Sequence, residues 1–282
     1  MIDKSEIMSF ARKFHLRASV VEKDYVLGWV LAGIFNHPAI GKHWIFKGGT
    51  CLKKCHIDTQ RFSEDLDFTL TKDGVLDKAM LTDAFKDVSA WAYDESGIEL
   101  PEALIRFDVY DNHRGGISAQ GKVGYKGPLM PGGDLPRIKL DLTLDEVLVE
   151  PPVRLEVAHP YSDLPAGGIS ILGYSFEEVF AEKIRALAER ERPRDLYDVV
   201  CLYRQCSDSC DLDRIRDILK QKCRFKKIAF PTMDGLKNRP EQQELEVEWE
   251  NMLGHQMGDL PDFKRFWQDL EQVMAWLNKD QK

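Results

Sequence analysis

The sequence contains no apolar run near the roughly 20 residues that a membrane-spanning helix requires, and no basic-then-apolar leader follows Met1. Both absences predict a cytoplasmic protein with no membrane partner. There is no Cys-x-x-Cys knuckle: the six cysteines are Cys51, Cys55, Cys201, Cys206, Cys210 and Cys223, and the nearest pairs stand four apart. His43, His56 and His113 have no ligand spacing either, which argues against a zinc ribbon and against a histidine-ligated hydrolase. Buried free thiols are expected instead. A P-loop is also missing, because Gly121-Lys122 lacks the upstream glycine spacing and a following Ser or Thr. No internal repeat or low-complexity tract is present.

What remains is an ordinary globular composition. With 282 residues, 43% hydrophobic and 30% charged, the chain suffices for one large domain or two closely packed ones. Its net charge of -8 argues mildly against non-specific wrapping of nucleic acid. Basic residues nevertheless concentrate between Arg185 and Arg194 and again from Lys220 to Lys227. Such clusters are either solvated faces or contacts for an RNA backbone.

Hydrophobic spacing predicts the elements. Val20, Val21, Tyr25, Val26, Trp29, Val30 and Ile34 fall at helical spacing, with Ser19 as a cap. Trp44-Ile45-Phe46 reads as a strand entering a Gly48-Gly49 turn, with a short helix from Thr50 to Cys55. Asp65 to Leu70 alternates as a half-buried strand, and a helix follows from Asp77 to Tyr93. Two or three strands are expected between Ala103 and Thr143, the last being Arg137 to Thr143. The glycines from Gly115 to Gly133 suggest one hairpin, a candidate acceptor-binding flap. A further strand pair is expected through Ile169 to Leu172. Beyond Ser175 the pattern is helical: Phe176 to Arg190, a helix from Arg194 with Pro193 at the break, then Leu212 to Lys222, Glu241 to Leu253 and Phe263 to Leu277. The expected architecture is an α/β (α+β) sheet domain over residues 1–173, with N-terminal helices, and a helical domain over 174–282.

The chemistry gathers at Asp65-Leu66-Asp67. On a strand, residues i and i+2 share a face, roughly 6–7 Å apart, so Asp65 and Asp67 can chelate a hard cation such as Mg²⁺. Asp141, on a second alternating strand, supplies a third carboxylate if the two strands are neighbours. Three such groups suit a two-ion clamp for nucleotidyl transfer, with Mn²⁺ able to substitute and Asp141 able to act as general base. Backbone N–H groups of the Gly48-Gly49-Thr50 turn add a place where phosphate oxygens approach closely. Arg61 and Ser63 either contact phosphates or order the loop before the strand.

Lys47-Gly48-Gly49-Thr50-Cys51-Leu52, followed by Arg61-Phe62-Ser63-Glu64-Asp65-Leu66-Asp67-Phe68, resembles the AbiEii/AbiGii toxin family of nucleotidyltransferases. Glu22-Lys23-Asp24-Tyr25, Ile138 to Thr143, Glu182 to Leu187 and Arg194 to Asp198 agree with it in order. The likeness runs from about residue 20 to 200; one small departure is Gly49-Thr50 where the family has Gly-Ser. The resemblance implies a polymerase-β-like core, an NTP substrate, Mg²⁺, and a toxin countered by a separately encoded antitoxin. Some family members modify tRNA ends and some act in abortive phage infection. By motif, Asp65 and Asp67 match the metal pair, Lys183 the helical lysine, and Asp195 or Asp198 the last acidic position. On a helix from Phe176 to Arg190, Lys183 either points into the cleft and binds the triphosphate or belongs to a surface of i, i+4 pairs with Glu178 or Glu182. The implied function is transfer of a nucleotide from an NTP to RNA, foremost a tRNA 3′ end. The alternatives are transfer to a protein hydroxyl and a non-catalytic nucleotide- or partner-binding protein on the same fold.

Overall fold

The structure, a computed structural model, describes residues 1–130, 132–237 and 241–279, with only the backbone for 241–243. Two compact units account for the chain. The first comprises Met1–Asp58, Phe62–Glu146 and Pro152–Gly173; the second comprises Thr59–Arg61, Val147–Pro151 and Tyr174–Lys282.

A mixed seven-stranded sheet organises the first unit. Its strands are β1 (Trp44–Lys47), β2 (Asp65–Leu70), β3 (Ile105–Asp111), β4 (Ile117–Gly124), β5 (Arg137–Thr143), β6 (Val153–Glu156) and β7 (Ser170–Gly173), in spatial order β3-β4-β5-β2-β1-β7-β6. The pairs β2/β5 and β1/β7 are parallel and the remaining pairs antiparallel. Alternation decides which way each strand faces. Phe46, Leu66, Phe68, Phe107, Ala119, Leu140 and Leu142 are all buried, which leaves the intervening polar residues to the opposite face. Phe68 lies 5.3 Å from Phe46 and 5.1 Å from Trp44, ring centre to ring centre.

Helices α1 (Lys4–Phe14), α2 (Ala18–Asn36), α3 (Gly48–Cys51) and α4 (Lys78–Ser96) belong to the same unit. α2 buries residues around its whole circumference, the acids Glu22 and Asp24 included. Its start differs from expectation: Ser19 lies inside the helix and Arg17 takes the cap position without a side-chain bond. The apolar run, not a capping hydroxyl, places that end. α1 is not among the helices read from spacing, although its Ile7, Phe10, Ala11 and Phe14 stand at i, i+3, i+4 and i+7. A π-type turn over Leu52–His56 extends α3. The expected single glycine hairpin is two connections: a tight turn at 112–116 joins β3 to β4, and 125–136 joins β4 to β5.

The second unit is helical: α5 (Phe176–Arg190), α6 (Pro193–Cys206), α7 (Leu212–Lys226), α8 (Met233–Lys237), α9 (Glu241–Leu253) and α10 (Phe263–Leu277). Pro193 opens α6 at its first turn, where its missing N–H costs nothing. α5 packs on α6 and α7, and α6 on α9 and α10; Phe180 stacks on Trp276 and Tyr197 on Phe266. All six cysteines are free, and burial pushes the thiols of Cys201 and Cys223 up to about 11, so neither is a nucleophile at neutral pH.

Candidate active site

Asp65 and Asp67 lie on β2, and parallel pairing sets Asp67 directly opposite Asp141 of β5. Because Leu66, Phe68, Leu140 and Leu142 are buried, all three carboxylates are turned to the same opposite face. Two neighbours complete the row. Gln120 of β4 stands opposite Asp141 and donates from Nε2 to its Oδ1 at 3.2 Å. Lys47 of β1 stands opposite Asp67, with its Nζ 3.9 Å from the buried carboxylate of Glu146. The row across four strands therefore reads Gln120, Asp141, Asp67, Lys47.

The glycine turn is fitted to this row. Gly48 has φ of +81°, and a Cβ added there would stand 2.0 Å from Oδ2 of Asp67. Only glycine allows both the backbone conformation and the approach. The Thr50 hydroxyl, 1% exposed, donates to the backbone carbonyl of Asp65 at 2.5 Å. It thus ties the turn to the strand. Ser63 is half-buried in the loop before β2. Lys23, in the segment Glu22 to Tyr25, pairs with Glu64 at 2.9 Å, while Tyr25 is fully buried in the core.

Among the described residues, no three or more His, Cys, Asp or Glu side chains are arranged to hold a metal ion. The three aspartates share a face but do not form a closed ligand set. Their chemistry still fits a hard divalent cation. All are carboxylates, two are i, i+2 on one strand and the third is on the strand beside it, about 4.8 Å away. The Asp67 carboxylate occupies the very space that a side chain at position 48 would fill, so the site is built around it.

Lys183, Asp195 and Asp198 lie in the helical unit, together with Arg61. Asp198 is fully buried and accepts from three donors: Nε and Nη2 of Arg61 at 2.9 and 2.8 Å, and Nζ of Lys183 at 2.7 Å. Arg61 also donates to Gln256 at 2.9 Å. Burial opposes the charge on Arg61, yet the adjacent Asp198 carboxylate raises its pKa above the ordinary value. The Arg61 guanidinium is thus engaged by Asp198 and Gln256. Asp195 is equally buried and takes a bidentate grip from Arg190, at 2.7 and 2.9 Å. Burial works against its ionisation, but Arg190 holds the carboxyl below the usual range. The two acids three residues apart thus hold different cations.

Two side chains at the site have no sequence signature. Gln120 is one polar residue in an alternating strand, and Glu146 follows the end of β5 in a run of acidic residues; only strand register and burial reveal their partners.

The whole chain resembles solved nucleotidyltransferase structures. It superposes on MenT4, a nucleotidyltransferase toxin from Mycobacterium tuberculosis H37Rv, with a TM-score of 0.63 and 18% identity, over 99% of this chain and 90% of that one. JHP933 from Helicobacter pylori gives a TM-score of 0.59 and 16% identity over 94% of each chain. At such identities the likeness establishes a common fold. No curated protein sequence matches the chain. The family profile described as nucleotidyl transferase AbiEii toxin, type IV toxin–antitoxin system, matches residues 29–275. The match spans most of the sequence, and the chain belongs to the AbiEii family of nucleotidyltransferase toxins.

Proposed function

We propose that this nucleotidyltransferase moves a nucleotide from an NTP onto RNA, with a tRNA 3′ end as the first acceptor, and that a separately encoded antitoxin restrains it. The observation that carries this reading is the register of Asp65, Asp67 and Asp141 on one sheet face, beside a turn that only glycine can make. In the reaction the acceptor 3′ oxygen attacks the α-phosphorus of the NTP, the α–β phosphoanhydride bond breaks, and pyrophosphate leaves. One or two divalent cations, Mg²⁺ or Mn²⁺, held by Asp65, Asp67 and Asp141 would supply charge neutralisation on the phosphates and a lowered pKa for the attacking hydroxyl.

The chain's own groups have separable tasks. Asp141, oriented by Gln120, takes the proton of the attacking hydroxyl. Gly48 and Gly49 leave the backbone N–H groups of the turn open to phosphate oxygens. Lys47, beside Asp67 and steadied by Glu146, places positive charge next to the acids. Lys183 is assigned to the triphosphate as a point charge, with Asp198 holding its ammonium in place.

The test is incubation with each α-labelled NTP, Mg²⁺ and total cellular RNA, beside an Asp65→Ala/Asp67→Ala control. Label should enter tRNA-sized RNA with the intact protein alone. Label on protein would keep the chemistry and change the acceptor. Full incorporation by the double variant would remove the carboxylates from the mechanism.

A further inference from the structure

The carboxylates have an anion-handling feature on one flank, the glycine turn beside β1, and the opposite flank carries a feature that the transfer reaction has not yet used. Strand register lines up Arg106 of β3 with Lys122 of β4, Lys122 with Lys139 of β5, and Lys139 with Asp65 of β2. One continuous row across the sheet is therefore cation, cation, cation, carboxylate. Arg137 lies two pairs along, on the same face of β5 as Lys139. All four basic side chains are exposed. Among the described residues, none of the four is held in an ion pair; the one bond Arg106 makes is to the carbonyl of Ile105. Arg106, Lys122 and Arg137 surround a cavity of about 190 Å³, with Ala103 and Leu104 completing its wall.

Like charges aligned on neighbouring strands repel, and exposed cations left without carboxylate partners serve a ligand more readily than the fold. The chain as a whole is acidic, at -8, so this concentration of positive charge is local. It spans roughly 14 Å from Arg106 to Asp65, three inter-strand steps of about 4.8 Å each. That length exceeds a single phosphate and suits a short run of backbone. The geometry also separates two substrates. The order β3-β4-β5-β2-β1 puts the acids between the basic row and the turn at Gly48, as a transferase with two phosphate-bearing substrates needs.

We infer that the row Arg106, Lys122 and Lys139, with Arg137, is the docking track for the phosphodiester backbone of the polynucleotide acceptor, leading its 3′ end to Asp65 and Asp67. The inference rests on the reading that RNA is the acceptor, and deepens it by naming where the RNA lies. Phosphate contacts of this kind are sequence-independent and salt-sensitive.

The experiment measures binding of fluorescein-labelled bulk tRNA by anisotropy across a salt series. The full-length protein is compared with Arg106→Ala/Lys122→Ala/Lys139→Ala, and circular dichroism confirms that the variant keeps its fold. Affinity for tRNA should fall at least tenfold. The slope of log affinity against log salt should shrink by about 2, close to 0.7 for each lost single-strand phosphate contact. Mg-NTP affinity, measured separately by calorimetry, should be unchanged. Unaltered tRNA binding, or no tRNA binding by the parent protein, overturns the track. Parallel loss of NTP affinity overturns it too, because the row would then serve the triphosphate. The label-transfer assay keeps the two readings apart: RNA labelling by a triple variant with full tRNA affinity would sink the track and spare the transferase. A parent that binds tRNA through the row without labelling it would do the reverse.

Discussion

At the scale of single residues, position 48 carries the most information about the site. A side chain there meets two separate penalties: the left-handed backbone, worth about 1–2 kcal/mol, and a collision with Asp67 Oδ2. Gly115 provides the control, since it also has positive φ (+77°) but has nothing within 4 Å of an added Cβ. Gly48→Ala should therefore cut incorporation of labelled nucleotide by about 100-fold, the scale of a 1 Å misplacement of a reacting group. Gly115→Ala should lower the melting temperature by a few degrees and leave turnover intact. Equal activity in both variants would show that the Asp67 position does not matter. Sequence reading picked out the Gly48-Gly49-Thr50 turn as a whole, but not the contact of Gly48 with Asp67. Likewise Lys183, Asp195 and Asp198 were visible as motif residues, while the sorting of Asp198 to Lys183 and Arg61, and of Asp195 to Arg190, depends on how three helices and a distant segment pack.

At the scale of elements, α2 is fastened by a buried polar network as well as by apolar packing. Asp24 pairs with Lys54 at 3.0 Å and accepts from the Tyr161 hydroxyl at 3.0 Å; Tyr25 donates to Asp163 at 2.6 Å. His159 sits among these groups, against Gly28 of the same helix and 3.6 Å from Asp163. Burial, reinforced by Lys54, lowers its pKa despite the opposing carboxylates of Asp163 and Asp24. The folded protein thus prefers neutral His159, whereas the unfolded chain takes up a proton near pH 6.5. Its stabilising contribution is complete above about pH 6.5 and is lost as pH falls from there towards the depressed folded value. The melting temperature should rise with pH through this window, and His159→Gln should flatten the rise. An unchanged profile would place the titration elsewhere. The elements themselves were mostly legible: β1, β2, β5, α4, α5 and α10 follow directly from apolar period. α1 was legible by the same period, through Ile7, Phe10, Ala11 and Phe14, but was not singled out; the start of α2 was not legible, since Arg17 and not Ser19 holds the cap position.

At the scale of the whole molecule, the helical unit is discontinuous in sequence. It includes Thr59–Arg61 and Val147–Pro151, and both segments satisfy buried charges. Arg61 neutralises Asp198. The backbone N–H groups of Val149 and Glu150 donate to the fully buried Glu178 at 3.0 and 2.7 Å, and Lys222 pairs with Glu178 at 2.8 Å while donating to the Val147 carbonyl. Removing one partner from a buried charge pair costs about 3–5 kcal/mol, and a fragment starting at residue 174 would lose several partners together. Residues 174–282 expressed alone should therefore lack a cooperative thermal transition. A sharp transition near that of the full chain would show that these segments are dispensable. The point matters for any truncation intended to separate binding from catalysis.

Composition and local pattern alone determined much: a chain with no membrane-spanning run, an α/β region followed by helices, and two aspartates on one strand face downstream of a glycine turn. These are local properties, written in residue type and in periods of 2 and 3.6. The family likeness was legible for the same reason, because its motifs are short contiguous strings. Tertiary structure alone decided that β5 lies beside β2 in the register that sets Asp141 opposite Asp67, and that three cations line up on the far side of Asp65. Pairing between strands some 70 residues apart is chosen by which arrangement buries both apolar faces at once, and no single strand carries that information.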